Sequence, residues 1–77
     1  MDIKLVDITL HIDETLVHAQ LEGIGDKLRQ QEGIVSVAFH DDKPHLMIVE
    51  YNPDKNKSAD ILKTVTAQGV HAELIGL

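Results

Sequence analysis

Five histidines and several acidic residues are the side chains of this 77-residue sequence whose chemistry stands out. Imidazole nitrogens and carboxylate oxygens are ligands for divalent transition metals such as Zn²⁺, Ni²⁺, Cu²⁺ and Fe²⁺. There is no cysteine, which excludes thiolate sites and disulfides. No local spacing such as His-x-x-x-His joins two of the histidines, so only the fold can gather them. The residues are His11, His18, His40, His45 and His71, with Asp13, Glu14, Asp41 and Asp42.

Composition narrows the classes of function. We expect one domain over residues 1–77 with a small core. The net charge of −6 argues against binding to nucleic acid or to an anionic membrane. Without a signal peptide or an apolar run of spanning length, a soluble cytoplasmic protein is expected. The sequence has no Ser-His-Asp spacing, no Gly-rich phosphate-binding loop and no pair of carboxylates that would mark a catalytic cleft. We therefore do not expect an enzyme.

Apolar periodicity predicts four strands and two helices. Alternation over residues 6–12, 34–40, 45–51 and 70–75 is typical of strands with one buried face. Helical spacing covers residues 16–31 and the stretch from Ser58 to Gly69. Asp13 or Thr15 is expected to cap the first helix, and Asp-Asp-Lys-Pro at 41–44 forms a turn.

The element order βαββαβ predicts an α+β fold. A right-handed crossover makes the first two strands parallel, with the third strand between them. The fourth strand then joins the free edge beside the first. This arrangement is a ferredoxin-like sandwich: a four-stranded antiparallel sheet of order 4-1-3-2 with both helices on one face.

Three segments resemble the heavy-metal-associated (HMA) domain, the small carrier module of copper chaperones and metal-pumping ATPases. Residues 33–37 (Gly-Ile-Val-Ser-Val) are similar to its Gly-Val-x-x-Val, and 49–53 (Val-Glu-Tyr-Asn-Pro) to its Val-x-Tyr-Asp-Pro. Residues 68–74 are similar to its Gly-Tyr-x-Ala close. The resemblance implies the same fold, with Met47, Val49 and Tyr51 facing the helices.

The metal-binding loop departs from the family's pattern. Its Met-x-Cys-x-x-Cys aligns with Leu16, His18 and Leu21. Linear two-thiolate binding of Cu(I) is therefore excluded. The resemblance implies a divergent member of this family that either has lost metal binding or binds a metal through harder ligands.

Topology gives a separate reason to consider a metal. The first strand-to-helix loop, the hairpin and the second helix-to-strand loop are expected at the same end of the sheet. All five histidines lie in or beside these three loops. Pairing Asp7 with Ile75 would place His11 opposite His71, at a distance that suits two ligands of one ion. Asp13 or His18 would supply a third ligand. The alternatives are a solvated histidine pair, an exposed His18 and a helix-capping Asp13.

The sheet face away from the helices suggests a second function. Leu46 and Ile48 would stand there, near Ala38 and Ile75, as a contact patch for a protein partner or a second copy. Scattered surface aliphatics are the simpler explanation. Two functions remain: binding or transfer of a divalent metal through His11, His71, His18 and Asp13, or a metal-free interaction or regulatory module.

Overall fold

The computed structural model describes residues 4–75 and confirms the ferredoxin-like architecture. The sheet order is β2-β3-β1-β4, and every neighbouring pair of strands is antiparallel. The elements in chain order are β1 (Val6–Ile12), α1 (His18–Arg29), β2 (Ile34–His40), β3 (Lys43–Tyr51), α2 (Ser58–Thr66) and β4 (Ala72–Ile75). None of the helices within residues 4–75 is both long and apolar enough to cross a membrane.

The core lies between the helices and one face of the sheet. Alternate residues of β1 and β3 are buried on this face, and apolar residues of both helices pack against them. Burial of Met47, Val49 and Tyr51 confirms the orientation that the family resemblance implied for β3. The buried residues of the other elements include Ile8, Leu10, Ile12, Leu21, Ile24, Leu28, Val37, Ile61 and Val65.

The first helix is shorter than predicted at both ends. It begins at His18, and its N-cap residue is Val17, which makes no side-chain capping bond. The prediction that Asp13 or Thr15 caps this helix is therefore wrong. The side chain of Gln20 instead accepts a hydrogen bond from the backbone N–H of Val17 at 3.0 Å.

The predicted pairing of His11 with His71 is also wrong. β4 lies two residues further along β1, so that His11 is opposite Glu73. Both alignments place Leu74 and Ala72 toward the core, because the side chains of a strand repeat every two residues. A shift of two residues therefore leaves the apolar pattern satisfied while it changes every partner on the open face.

Candidate metal centre

Three elements bring ligand-type side chains together at one end of the sheet. His11 is near the end of β1, Asp13 follows that strand, and Glu73 lies on the adjacent strand β4. The Nδ1 atom of His11 is 3.2 Å from Oδ1 of Asp13 and 3.3 Å from Oε1 of Glu73. One ligand atom from each residue lies within 4.8 Å of the others. We call this group the His11 cluster.

The backbone holds the three members in place. Glu73 is directly opposite His11 in the β1–β4 pairing. The N–H of Asp13 donates to the carbonyl of His71 at 2.8 Å, which continues this pairing beyond the strand. The side chains are 37%, 56% and 62% exposed for His11, Asp13 and Glu73, so solvent and a metal ion can reach all three.

His45 supports the cluster from β3. Its ring stacks on that of His11, with centroids 5.6 Å apart and planes 13° from parallel. Its Nδ1 lies 2.7 Å from the carbonyl oxygen of Ile12, and because a carbonyl only accepts, Nδ1 carries the proton. The Nε2 atom faces the hydroxyl of Thr15 at 3.4 Å. Sequence reasoning missed both His45 and Glu73 as members of this site.

His71 pairs with Glu14 rather than with His11. Its ring Nδ1 lies 2.8 Å from Oε2 of Glu14, and its backbone N–H donates to both carboxylate oxygens at 2.9 and 3.2 Å. The hydrogen bond to Glu14 raises the pKa of His71, and the same bond, with the backbone N–H of His71, lowers the pKa of Glu14. This pair ties the loop after β1 to the loop before β4.

His18 pairs with Asp41 across the same end of the fold. Nδ1 of His18 is 2.8 Å from Oδ1 of Asp41, which joins the start of α1 to the β2–β3 turn. That hydrogen bond, with the attraction of the Asp41 charge, raises the pKa of His18. The ring of Phe39 lies 5.5 Å from the imidazole. Of the predicted metal ligands, the structure thus brings together His11 and Asp13, whereas His18 and His71 each contact a different carboxylate.

Replacing Glu14 with glutamine is expected to lower the pKa of His71 toward its ordinary value, because the imidazolium loses an ionised acceptor. The pKa of His71 is raised in the folded protein. The stabilisation that protonated His71 gives to the folded protein is therefore complete below about pH 6.5. It is lost as the pH rises through the pKa that His71 has in the folded state. Glu14 has a lowered pKa, so its contribution is present above about pH 4.3 and is lost as the pH falls through its folded pKa.

An NMR titration of the His71 ring protons measures this effect. Glu32→Gln is the matched control, since Glu32 contacts Lys55 at 3.7 Å and not a histidine. Equal pKa values for His71 in Glu14→Gln and in the parent chain would contradict the conclusion that Glu14 raises the pKa of His71.

The chain was compared with protein-family models, curated proteins and solved structures. No protein-family model matches the chain, and neither does any curated protein. Among solved structures, oxidized MerP from Ralstonia metallidurans superposes with a TM-score of 0.83 at 14% identity, covering 95% of this chain and 100% of its own. The chain has the fold of the HMA domains.

Two further solved HMA domains support this statement. The N-terminal domain of a potential copper-translocating P-type ATPase from Bacillus subtilis, in the Cu(I)-loaded state, has a TM-score of 0.80 at 22% identity, with 95% of this chain and 90% of that one covered. A copper binding domain from HMA7, a P-type ATPase, has a TM-score of 0.82 at 17% identity, with 91% and 93% covered.

The sequence resemblance aligns two residues of this chain with the family's cysteines, and neither is a donor for soft metals. Leu21 stands at one of them and is 1% exposed within the core, while Leu16 packs against the core from the loop. His18, at the other position, is bonded to Asp41. The nitrogen and carboxylate donors of this end of the sheet suit borderline and hard divalent ions.

Proposed function

We propose that this HMA-fold domain binds a divalent transition metal ion at the His11 cluster. The observation that supports the proposal is the convergence of one imidazole and two carboxylates, with ligand atoms within 4.8 Å of one another. The distances of 3.2 and 3.3 Å from Nδ1 of His11 to the two carboxylate oxygens match the separation of two ligands that bind one ion at about 2.0–2.2 Å. The cluster lies beside the loop that aligns with the metal loop of the HMA family.

The donor set selects the class of metal. One nitrogen and two oxygens favour Zn²⁺, Ni²⁺, Cu²⁺ or Fe²⁺ over Cu(I), which prefers thiolate and thioether ligands. The three residues leave at least one coordination position open. An exposed, incomplete site of this kind suits an ion that is taken up and released, so transfer of the ion is part of the proposal.

The sequence-based prediction also named His71 and His18 as ligands. Each can serve only after it leaves its carboxylate, Glu14 for His71 and Asp41 for His18. We therefore keep them as predicted ligands of a rearranged site and give His11, Asp13 and Glu73 the primary role. The bond between the N–H of Asp13 and the carbonyl of His71 would transmit any such rearrangement to the cluster.

Titration with Zn²⁺ tests the metal proposal. We expect the ring resonances of His11 to shift stoichiometrically, and Glu73→Gln to raise the metal dissociation constant by at least about tenfold because a charged ligand is lost. NMR locates the shifts and calorimetry measures the affinity. Ni²⁺ and Cu²⁺ are then ranked by competition with Zn²⁺.

The control is Glu32→Gln, which removes the same charge at a distance from the cluster. It should leave the affinity for Zn²⁺ unchanged. Weak broadening spread over all five histidines, or equal affinities for Glu73→Gln and Glu32→Gln, would rule out the His11 cluster as a metal site.

A metal-free contact function is the second candidate. Ile48 on the central strand β3 is 43% exposed and Ile75 on β4 is 37% exposed, while Leu46 is half-buried. These residues lie on the sheet face that the helices leave open. This candidate requires association without any metal, which separates it from the first.

A further inference from the structure

The open sheet face is organised in three rows that run across the strands. The ligand row contains Glu73 and His11 with Leu46. The apolar row contains Ile75, Thr9, Ile48 and Ala38, and the acidic row contains Asp7, Glu50 and Ser36. The apolar row therefore lies midway between a row that offers metal ligands and a row that carries two negative charges.

The acidic row is unfavourable in an isolated copy. Asp7 and Glu50 are directly opposite each other on β1 and β3, and like charges in this position destabilise a sheet. Within residues 4–75 no ion pair includes either carboxylate. A cation placed against this row would remove the repulsion.

The ligand row has the opposite need. The His11 cluster supplies three donors, whereas Zn²⁺ takes at least four ligands. The members are 37% to 62% exposed, so a donor from another molecule can reach the site. One row thus lacks a cation and the other lacks an anionic donor.

We propose that a second copy of this chain packs on the open face, so that Asp7 and Glu50 of each copy complete the metal site of the other. This inference rests on the proposed metal binding. The two-fold axis lies in the plane between the two sheets, along the apolar row and at right angles to the strands. Rotation about this axis places the acidic row of one copy against the ligand row of the other. The two apolar rows then face each other between two metal ions, and each bound ion lies over a pair of carboxylates.

Charge selects this orientation over the other two-fold arrangement. With the strands parallel, each ligand row would face the partner's ligand row, and the two acidic rows would also face each other. The contact between the acidic rows is repulsive, because four carboxylates meet there without a cation. The contact between the ligand rows gives neither ion a further ligand, because the donors of each row already bind their own ion. The antiparallel arrangement instead places each acidic row against a bound ion that still has an open coordination position, at both ends of the interface.

The size of the face makes this association depend on the metal. Four strands about 4.8 Å apart and three rows about 7 Å apart cover roughly 400 Å². Stable interfaces bury about 800 Å² per partner, so the apolar row is too small to hold two acidic copies together by itself. The metal ions supply the additional attraction by taking the facing carboxylates as ligands.

Sedimentation velocity of the full chain with and without Zn²⁺ tests the proposal, with NMR of His11 recorded on the same samples. We expect a monomer without metal and a dimer with one Zn²⁺ per chain. Asp7→Asn combined with Glu50→Gln should raise the dimer dissociation constant at least tenfold while His11 still shifts on binding Zn²⁺. Ile48→Glu should also prevent dimerisation. The charge-matched control, Asp54→Asn with Asp60→Asn, should dimerise as the parent chain does.

The outcomes separate the two proposals. If His11 shifts but the mass remains that of a monomer, the dimer is wrong and metal binding stands. If His11 does not respond to Zn²⁺, metal binding itself is wrong. A Zn²⁺-dependent dimer that survives the Asp7 and Glu50 changes would overturn the antiparallel arrangement, and a dimer that forms equally well without metal would favour the contact function instead.

Discussion

Gly33→Ala is expected to lower the free energy of unfolding by about 2–5 kcal/mol, through backbone strain together with overpacking. Gly33 connects α1 to β2 with a φ of +88°, a conformation that residues with a Cβ rarely adopt. A Cβ built at this position would lie 2.8 Å from Cβ of Lys55, which is closer than van der Waals contact allows. Its carbonyl also accepts the N–H of Asn52 at 2.8 Å, so the loop cannot move away without losing this bond.

Gly69→Ala provides the matched control. Gly69 has nearly the same φ, +92°, but a Cβ there would meet no atom within 4 Å. Its substitution should cost only the backbone term, about 1–2 kcal/mol. Chemical denaturation of both variants measures the difference. Equal losses of stability would show that close packing against Lys55 does not matter.

The order and type of the strands and helices were predictable because the spacing of the apolar residues indicates which elements they form. Alternating apolar residues define the strands, and a change to helical spacing defines the helices. The bounds of β2 are confirmed at Ile34–His40, where Gly33 precedes the strand and a turn follows it. At Val35, however, the alternation fails: this residue is 53% exposed because the β2–β3 register shifts between Ile34 and Ser36. A single-residue bulge of this kind leaves no clear signal in the apolar pattern.

The candidate site was only partly predictable, for a related reason. Topology places the histidines at one end of the sheet, and that much follows from the order of the elements. Which residue faces His11 depends on the register of β4, and the apolar pattern is equally well satisfied by His71 or Glu73. The contacts of Glu14 with His71 and of His45 with Ile12 connect residues 57 and 33 positions apart. No local pattern encodes such contacts.

Leu10→Ala is expected to lower the free energy of unfolding by about 2–5 kcal/mol, because it leaves a cavity at a fully buried position. Leu10 is 0% exposed on the central strand β1, immediately before His11. A 77-residue domain has a total stability of only about 4–12 kcal/mol, so this loss removes a large share of it. Leu5→Ala is the control: Leu5 is 41% exposed, and its truncation should change stability by less than about 0.5 kcal/mol.

The weakened variant offers a sensitive measure of metal binding to the folded state. A ligand present at 100 times its dissociation constant stabilises the folded protein by about 2.7 kcal/mol. Zn²⁺ should therefore restore much of what Leu10→Ala removes, as seen in thermal denaturation. Adding Glu73→Gln to Leu10→Ala should abolish this recovery, whereas adding Glu32→Gln should preserve it. Recovery that is equal in the two double variants would mean that the stabilising ion binds elsewhere than the His11 cluster. The two effects are expected in one variant because β1 contains both the buried Leu10 and the neighbouring His11 that is proposed to bind the metal.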